Sequence, residues 1–350
     1  MEQINNITQV SVVPDSEERR QIRKQYNRTA LIMLINILFF NVVALIVSRF
    51  IFAYYGGGFE REALIRGKEI FYKNEFVSTL FSCLIPIVSE VTVIIFGTKL
   101  LNLNLKSLVT RDGYSGGTVM KLITLIIGTQ TAGSIIIVLI GFVLEKFGLS
   151  GETVDISATT SFGANAFLCF YVCLLGPVLE ELLYRGVLLQ SMRKYNERFA
   201  IFLSAAVFGL MHQNYQQCIP AFISGVALAV VTIKYNSIVP SIFAHIVANT
   251  SNMLFGYMLQ YADPDYYTGT IPDTLPQGGA LAVVIVNAIF HYGFLIAALI
   301  VGIVAIVKGN NMTVPTPAGK ARSRVFFSCV LWWIVLAAYV YFCFIEPFMK

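Results

Sequence analysis

Nine stretches of this chain are continuously apolar, beginning near Ala30, Val77, Val119, Phe162, Phe199, Ile219, Ile238, Ala280 and Val325. A segment in lipid must satisfy its backbone N–H and C=O groups internally, so only helices and closed barrels can span a membrane. Barrel strands alternate apolar and polar residues, and these runs do not, so the runs are helices. The chain is 56% apolar and only 13% charged, well below the roughly 25% charged content of a soluble domain. The expected fold is all-α: a polytopic transmembrane bundle of about eight to nine helices, several short or tilted, each span needing about 20 residues. With 350 residues no large extramembrane domain fits, so any chemistry sits among the helices.

Charge distribution orders the chain in the membrane. Arg19, Arg20, Arg23, Lys24 and Arg28 precede the first run, which reads residues 1–29 as a basic, cytoplasmic N-terminal tail. The first 28 residues are too polar, and the first run too long, for a cleaved leader. Residues 99–111, 193–198 and 320–324 are also basic, while the loops holding Glu152 and Asp155, and Asp263, Asp265 and Asp273, carry little basic charge. This pattern fits an odd number of spans in a cell membrane with the N-terminus in the cytoplasm. Residues 60–75 disagree, holding Arg61, Arg66, Lys68 and Lys73 among the acids Glu60, Glu62, Glu69 and Glu75. Residues 30–160 form N-terminal spans, 161–260 a core that carries the polar motifs, and 261–350 C-terminal spans. No folded basic domain is available for nucleic acid. The six cysteines show no CxxC spacing and read as small hydrophobes; even Cys173, near the polar core, lies where an apolar setting disfavours the thiolate.

Ionisable groups at membrane depth are expensive and mark function. Glu180 and Glu181 are adjacent in one apolar run, with Arg185 after them, and two later runs each carry a histidine, His212 and His245. Neighbours on a helix point about 100° apart, so the two acids have different jobs. Glu181 and Arg185 stand at i, i+4 with the acid N-terminal, the favourable order for an ion pair; Glu180 shares its stripe with Tyr184. Glu181 and Arg185 therefore hold the site, and Glu180 does its chemistry. Pro177 kinks the same helix and opens space for water. Phe208 with His212, and His245 with Asn249, are further i, i+4 pairs. A buried carboxylate beside a histidine can share a water and take its proton, while a second histidine and an amide N–H can donate to the oxygen of an attacked carbonyl.

The patterns EExxxR (Glu180 to Arg185), FxxxH (Phe208 to His212) and HxxxN (His245 to Asn249) together resemble the type II CAAX prenyl endopeptidase family, also known as the CAAX protease and bacteriocin-processing enzymes. The resemblance covers roughly residues 162–258. It implies a glutamate-dependent intramembrane endopeptidase with an intramembrane catalytic cavity, in which Glu180 and His212 activate water and His245 and Asn249 form the oxyanion site. Glu181, Arg185, Tyr184 and Phe208 support them. The implied partners are a membrane-associated protein or peptide substrate and the lipid bilayer. In eukaryotic and archaeal relatives the substrate is a tail after a prenylated cysteine; bacterial relatives are linked to bacteriocin maturation or immunity and to sensor-kinase regulation.

Other readings predict other behaviour. The acids can form a structural ion-pair network, the fold can serve as a non-catalytic membrane regulator or immunity scaffold, or the same groups can relay protons in a coupled transporter. A metal is not expected, since zinc enzymes of the HExxH type place both histidines on one helix and the resembled family is metal-independent; no cofactor is implied. His291 reads as an interhelical hydrogen-bonding group, and Glu90 as an acid outside the site.

Overall fold

The computed structural model describes residues 13–110, 113–148, 159–262, 278–307 and 317–346. Arg111, Glu152, Asp155, Asp263, Asp265 and Asp273, used above to orient the chain, lie outside them. The described residues form helices joined by short turns, with no strand among them.

The first helix, α1 (Ser16–Leu38), runs through a π-helical segment Phe39–Val43 into α2 (Ala44–Gly56), so the basic stretch from Arg19 to Arg28 is helical and continuous with the first span. Asp15 caps α1 by accepting from the Glu18 N–H at 2.7 Å. Gly57, at φ +84°, ends α2 in the left-handed region that glycine enters freely. The short α3 (Arg61–Lys73) folds back against α2, followed by α4 (Glu75–Leu101), a 3₁₀ turn Leu105–Leu108 and α5 (Gly116–Lys146).

The motif-bearing core follows. A broken helix comprises α6 (Phe162–Phe170), a π segment Tyr171–Leu175, α7 (Gly176–Glu180), a second π segment Glu181–Leu188 and α8 (Leu189–Arg193). Then come α9 (Glu197–Leu210), α10 (Tyr215–Tyr235) and α11 (Val239–Ala262), and beyond them α12 (Gly278–Val307), α13 (Pro317–Arg324), a 3₁₀ turn Val325–Ser328 and α14 (Val330–Phe344).

Six helices are long and apolar enough to cross a membrane, seven if α13 and α14, bent by 73°, count as one broken span. The chain is thus a multi-pass membrane protein. The two remaining apolar runs form α9 and α11. With 14 residues, α9 is about 21 Å long at 1.5 Å per residue, short of the roughly 30 Å hydrocarbon layer. In α11, His245, Asn249 and Asn252 dilute the apolar pattern.

The main core joins Tyr26, Ile32 and Met33 of α1 to Leu183, Tyr184, Val187 and Leu188 of the broken helix and to Trp332 and Tyr339 of α14. A smaller cluster packs Leu122, Ile126 and Ile127 of α5 on Ala244 and Ala248 of α11. Polar pairs stitch helices where hydrophobicity gives no preference over lipid: Asn36 Nδ2 donates to Ser89 Oγ at 3.3 Å, and Tyr339 OH donates to Asn36 Oδ1 at 3.0 Å.

Candidate active site

The break in the motif helix has a sequence cause. Proline has no N–H and its ring crowds the carbonyl four residues back, so Pro177 cannot continue a regular α-helix. The chain absorbs it with π turns, in which bonds run i to i+5. Gly176 N–H accordingly bonds Tyr171 O, and the next donor in that register would come from residue 177, which is proline. Val172 O is left over, and Asn249 Nδ2 on α11 donates to it at 3.0 Å. The expected kink is thus a π bulge, and one of Asn249's amide hydrogens docks α11 against it.

The second π segment carries the buried charges. Glu181 Oε1 lies 2.9 Å from Arg185 Nη1, both side chains fully buried. Arg185 Nη2 donates to Gly225 O at 3.3 Å, and its guanidinium stacks 4.2 Å from the Phe208 ring centroid. This close approach needs glycine at 225, where a Cβ would meet Phe208 Cδ1 at 3.1 Å and Arg185 Nη2 at 3.2 Å. Tyr184 meets the same Phe208 ring edge-on, 5.4 Å between centroids.

Both motif histidines flank Phe208 as well, with ring centroids at 5.3 Å for His212 and 5.7 Å for His245. His212 sits in the turn between α9 and α10, where Gln213 adopts φ +54°. Asn214, the cap of α10, donates to His212 O at 2.7 Å and accepts from Gln217 N–H at 2.8 Å, which fixes the turn. His212 Nδ1 lies 2.9 Å from Phe208 O. A carbonyl only accepts, so Nδ1 carries the hydrogen and the neutral ring keeps its lone pair on Nε2.

His245 is bracketed by both acids. Nδ1 donates to Glu181 Oε1 at 3.1 Å, and Nε2 lies 3.5 Å from Glu180 Oε2. With Nδ1–H committed to Glu181, a favourable Nε2 to Glu180 contact needs one proton held on either partner. The sequence assigned Glu181 to Arg185 and left its link to His245 unread; this link makes Arg185, Glu181, His245 and Glu180 one continuous chain of polar contacts.

His212, His245 and Asn249 line a common cavity of about 790 Å³, with Val172 and Phe208 also in its wall. Glu180 is not in that wall and meets it through His245 Nε2. Glu180 also lies within electrostatic reach of His212 and of Glu90. Glu90 was left outside the site by sequence reasoning. It is 2% exposed, and neither carboxyl oxygen has a hydrogen-bond partner among the described residues. The signal that could have found it was its depth in an apolar helix. No group of three His, Cys, Asp or Glu side chains among the described residues is arranged to hold a metal ion.

Residues 162–251 match the family described as Type II CAAX prenyl endopeptidase Rce1-like. The matched stretch contains all three motifs and the turn that carries His212. No curated protein and no solved structure matches the chain.

Proposed function

Residues 162–251 belong to the type II CAAX prenyl endopeptidase family, a protease family, and on that premise we propose that this chain hydrolyses a peptide bond of a membrane-associated protein or peptide with water activated by glutamate and histidine. The observation that carries the reading is the joining of Glu180 to His245 at the edge of a cavity that His212 and Asn249 also face.

The free Nε2 of His212 accepts a hydrogen bond from a water in the cavity. As that water attacks the substrate carbonyl carbon, its proton passes to Nε2, and Glu180 offsets the positive charge arriving on the ring. The carbonyl oxygen becomes negative and takes hydrogen bonds from the second amide hydrogen of Asn249 and from His245. At 3.5 Å the His245 to Glu180 contact is longer than a typical hydrogen bond, which leaves Nε2 able to turn to the oxyanion. Collapse breaks the C–N bond, and His212 returns its proton to the departing nitrogen, giving a carboxyl and an amine terminus. Glu181 and Arg185 hold His245 in place throughout. The basic loops support an N-terminus in the cytoplasm.

The test compares membrane peptides from cells carrying the parent chain and Glu180→Gln. Without the carboxylate the positive charge arriving on His212 is no longer offset, so product peptides vanish and uncut precursors accumulate. Identical peptide profiles with a folded variant sink the hydrolase reading and favour a scaffold.

A further inference from the structure

Glu90 on α4 is a deeply buried acid that the hydrolytic mechanism above leaves without a task. It is 2% exposed, and neither carboxyl oxygen has a hydrogen-bond partner among the described residues. Two ties fix α4 against the broken helix. At one end Glu75 accepts from the Ser161 N–H at 2.8 Å. At the other, Gly97 comes so close to the second π segment that a Cβ there would meet Val187 Cγ1 at 2.9 Å. The two helices therefore run in the same direction, and between the ties Val93 joins Leu183 and Tyr184 in the main core. Glu90 and Glu180 stand equally many residues before Gly97 and Val187, so the packing brings both acids to a similar depth. They are in electrostatic contact with each other and with Tyr184. Tyr184 OH and Glu180 Oε2 are buried and lack a hydrogen-bond partner as well.

Two buried acids so placed do not both carry a negative charge unless a cation stands with each. Glu180 has such company: Arg185 and His212 are in electrostatic contact with it, and His245 Nε2 lies 3.5 Å from its Oε2. The titratable groups in contact with Glu90 are Glu180, Tyr171 and Tyr184 on the broken helix and Tyr339 on α14, and none of these is a cation. On the α1 side the nearby polar group is the neutral Asn36, bonded to Ser89 and Tyr339. Of the two acids, Glu90 thus has the weaker claim to a charge. A carboxyl that keeps its proton has an O–H to donate, and a hydrogen bond given to a carboxylate favours its charged form.

Resting on the hydrolase reading, we propose that Glu90 is a positioning residue: a neutral carboxyl behind Glu180 whose O–H serves the Glu180 carboxylate and keeps it charged toward His212 and His245. Glu90 has no place in the cavity wall, so it acts on the rate of cleavage and not on substrate binding. An ionised Glu90 would do the opposite, setting a second buried negative charge near Glu180 and driving a proton onto it.

The first experiment needs no substrate: the full chain in lipid vesicles at neutral pH is compared with Glu90→Gln by infrared spectroscopy. The parent is expected to show the C=O stretch of a protonated carboxyl that Glu90→Gln lacks. A difference spectrum that shows lost carboxylate bands instead overturns the proposal. Kinetics then use a synthetic peptide spanning a cut that the parent chain makes and Glu180→Gln does not. Glu90→Leu is expected to lower kcat about 10- to 100-fold, the scale of one hydrogen bond to a charged group, with KM close to the parent value. Glu90→Gln, which keeps a donor N–H, regains most of that loss. Parent-like rates in Glu90→Leu, equal losses with Leu and Gln, or a loss expressed in KM overturn the role. The spectrum and the Gln kinetics rest on a near-isosteric change, so they decide the matter even where Glu90→Leu fails to fold. If no cut depends on Glu180, the hydrolase reading fails and this role with it. Cuts that depend on Glu180 but not on Glu90 refute this role alone.

Discussion

Glu181 is fully buried and serves two partners at once, Arg185 at 2.9 Å and His245 Nδ1 at 3.1 Å. Removing one member of a buried pair leaves the other charge uncompensated and costs about 3–5 kcal/mol, while removing both with residues of similar volume is nearly neutral. Arg185→Met is therefore expected to lower the thermal unfolding temperature in detergent sharply, and the double change Glu181→Gln with Arg185→Met to regain most of the loss. A double variant as unstable as the single one contradicts the pairing. Activity should not return with stability, because His245 loses the carboxylate that holds its ring. The spacing of Glu181 and Arg185 made their pairing legible, since i, i+4 geometry is local. The grip of both acids on His245 was not legible, because it bridges 64 residues and depends on how α11 is rotated.

At the scale of the element, Pro177 and Asn249 act as one unit. The proline removes the donor that Val172 O would have used, and Asn249 supplies another at 3.0 Å. Pro177→Ala restores an N–H, so the carbonyl gains a backbone partner and no longer depends on α11. Asn249→Leu should cost about 1–3 kcal/mol in the parent, the range for orphaning a buried acceptor, and well under 1 kcal/mol in the Pro177→Ala background. A thermal-stability cycle over the four proteins measures this coupling, and additive losses contradict it. The sequence marked the position of the break but not its form, because a π bulge forms where a partner from elsewhere can take the stranded carbonyl. The turn at His212 was similarly hidden: FxxxH spacing suggests one continuous helix face, yet α9 ends at Leu210 and Asn214 begins the next cap.

Across the whole molecule the basic segments meet at one end. Arg322 Nε donates to Glu18 Oε1 at 2.7 Å, Asn196 Nδ2 donates to Gly319 O at 3.3 Å, and Arg193 Nη1 donates to Asn236 Oδ1 at 2.9 Å. Ser237 Oγ donates to Thr110 O at 2.8 Å, bringing the loop after α4 to the same end. The other end of α4 is tied elsewhere, where Glu75 accepts from Thr160 Oγ1 and the Ser161 N–H, each at 2.8 Å. The disagreeing basic segment lies there: α3, with Arg61, Arg66, Lys68 and Lys73 beside Glu62 and Glu69, directly precedes Glu75, and its cations run against the asymmetry of the other loops. Periodicity thus made the helical bundle readable, whereas the reduction of nine runs to six or seven full spans required knowing that α9 is short and that α11 carries its polar residues on a helix of spanning length. The end that gathers Arg193, Lys320 and Arg322 is expected to face the cytoplasm. In a variant with the six native cysteines replaced, Lys320→Cys should react with a membrane-impermeant maleimide only after the membrane is opened, and Lys73→Cys in intact cells. The reverse pattern would overturn the orientation, and equal labelling from one side would overturn the placement of the two ends.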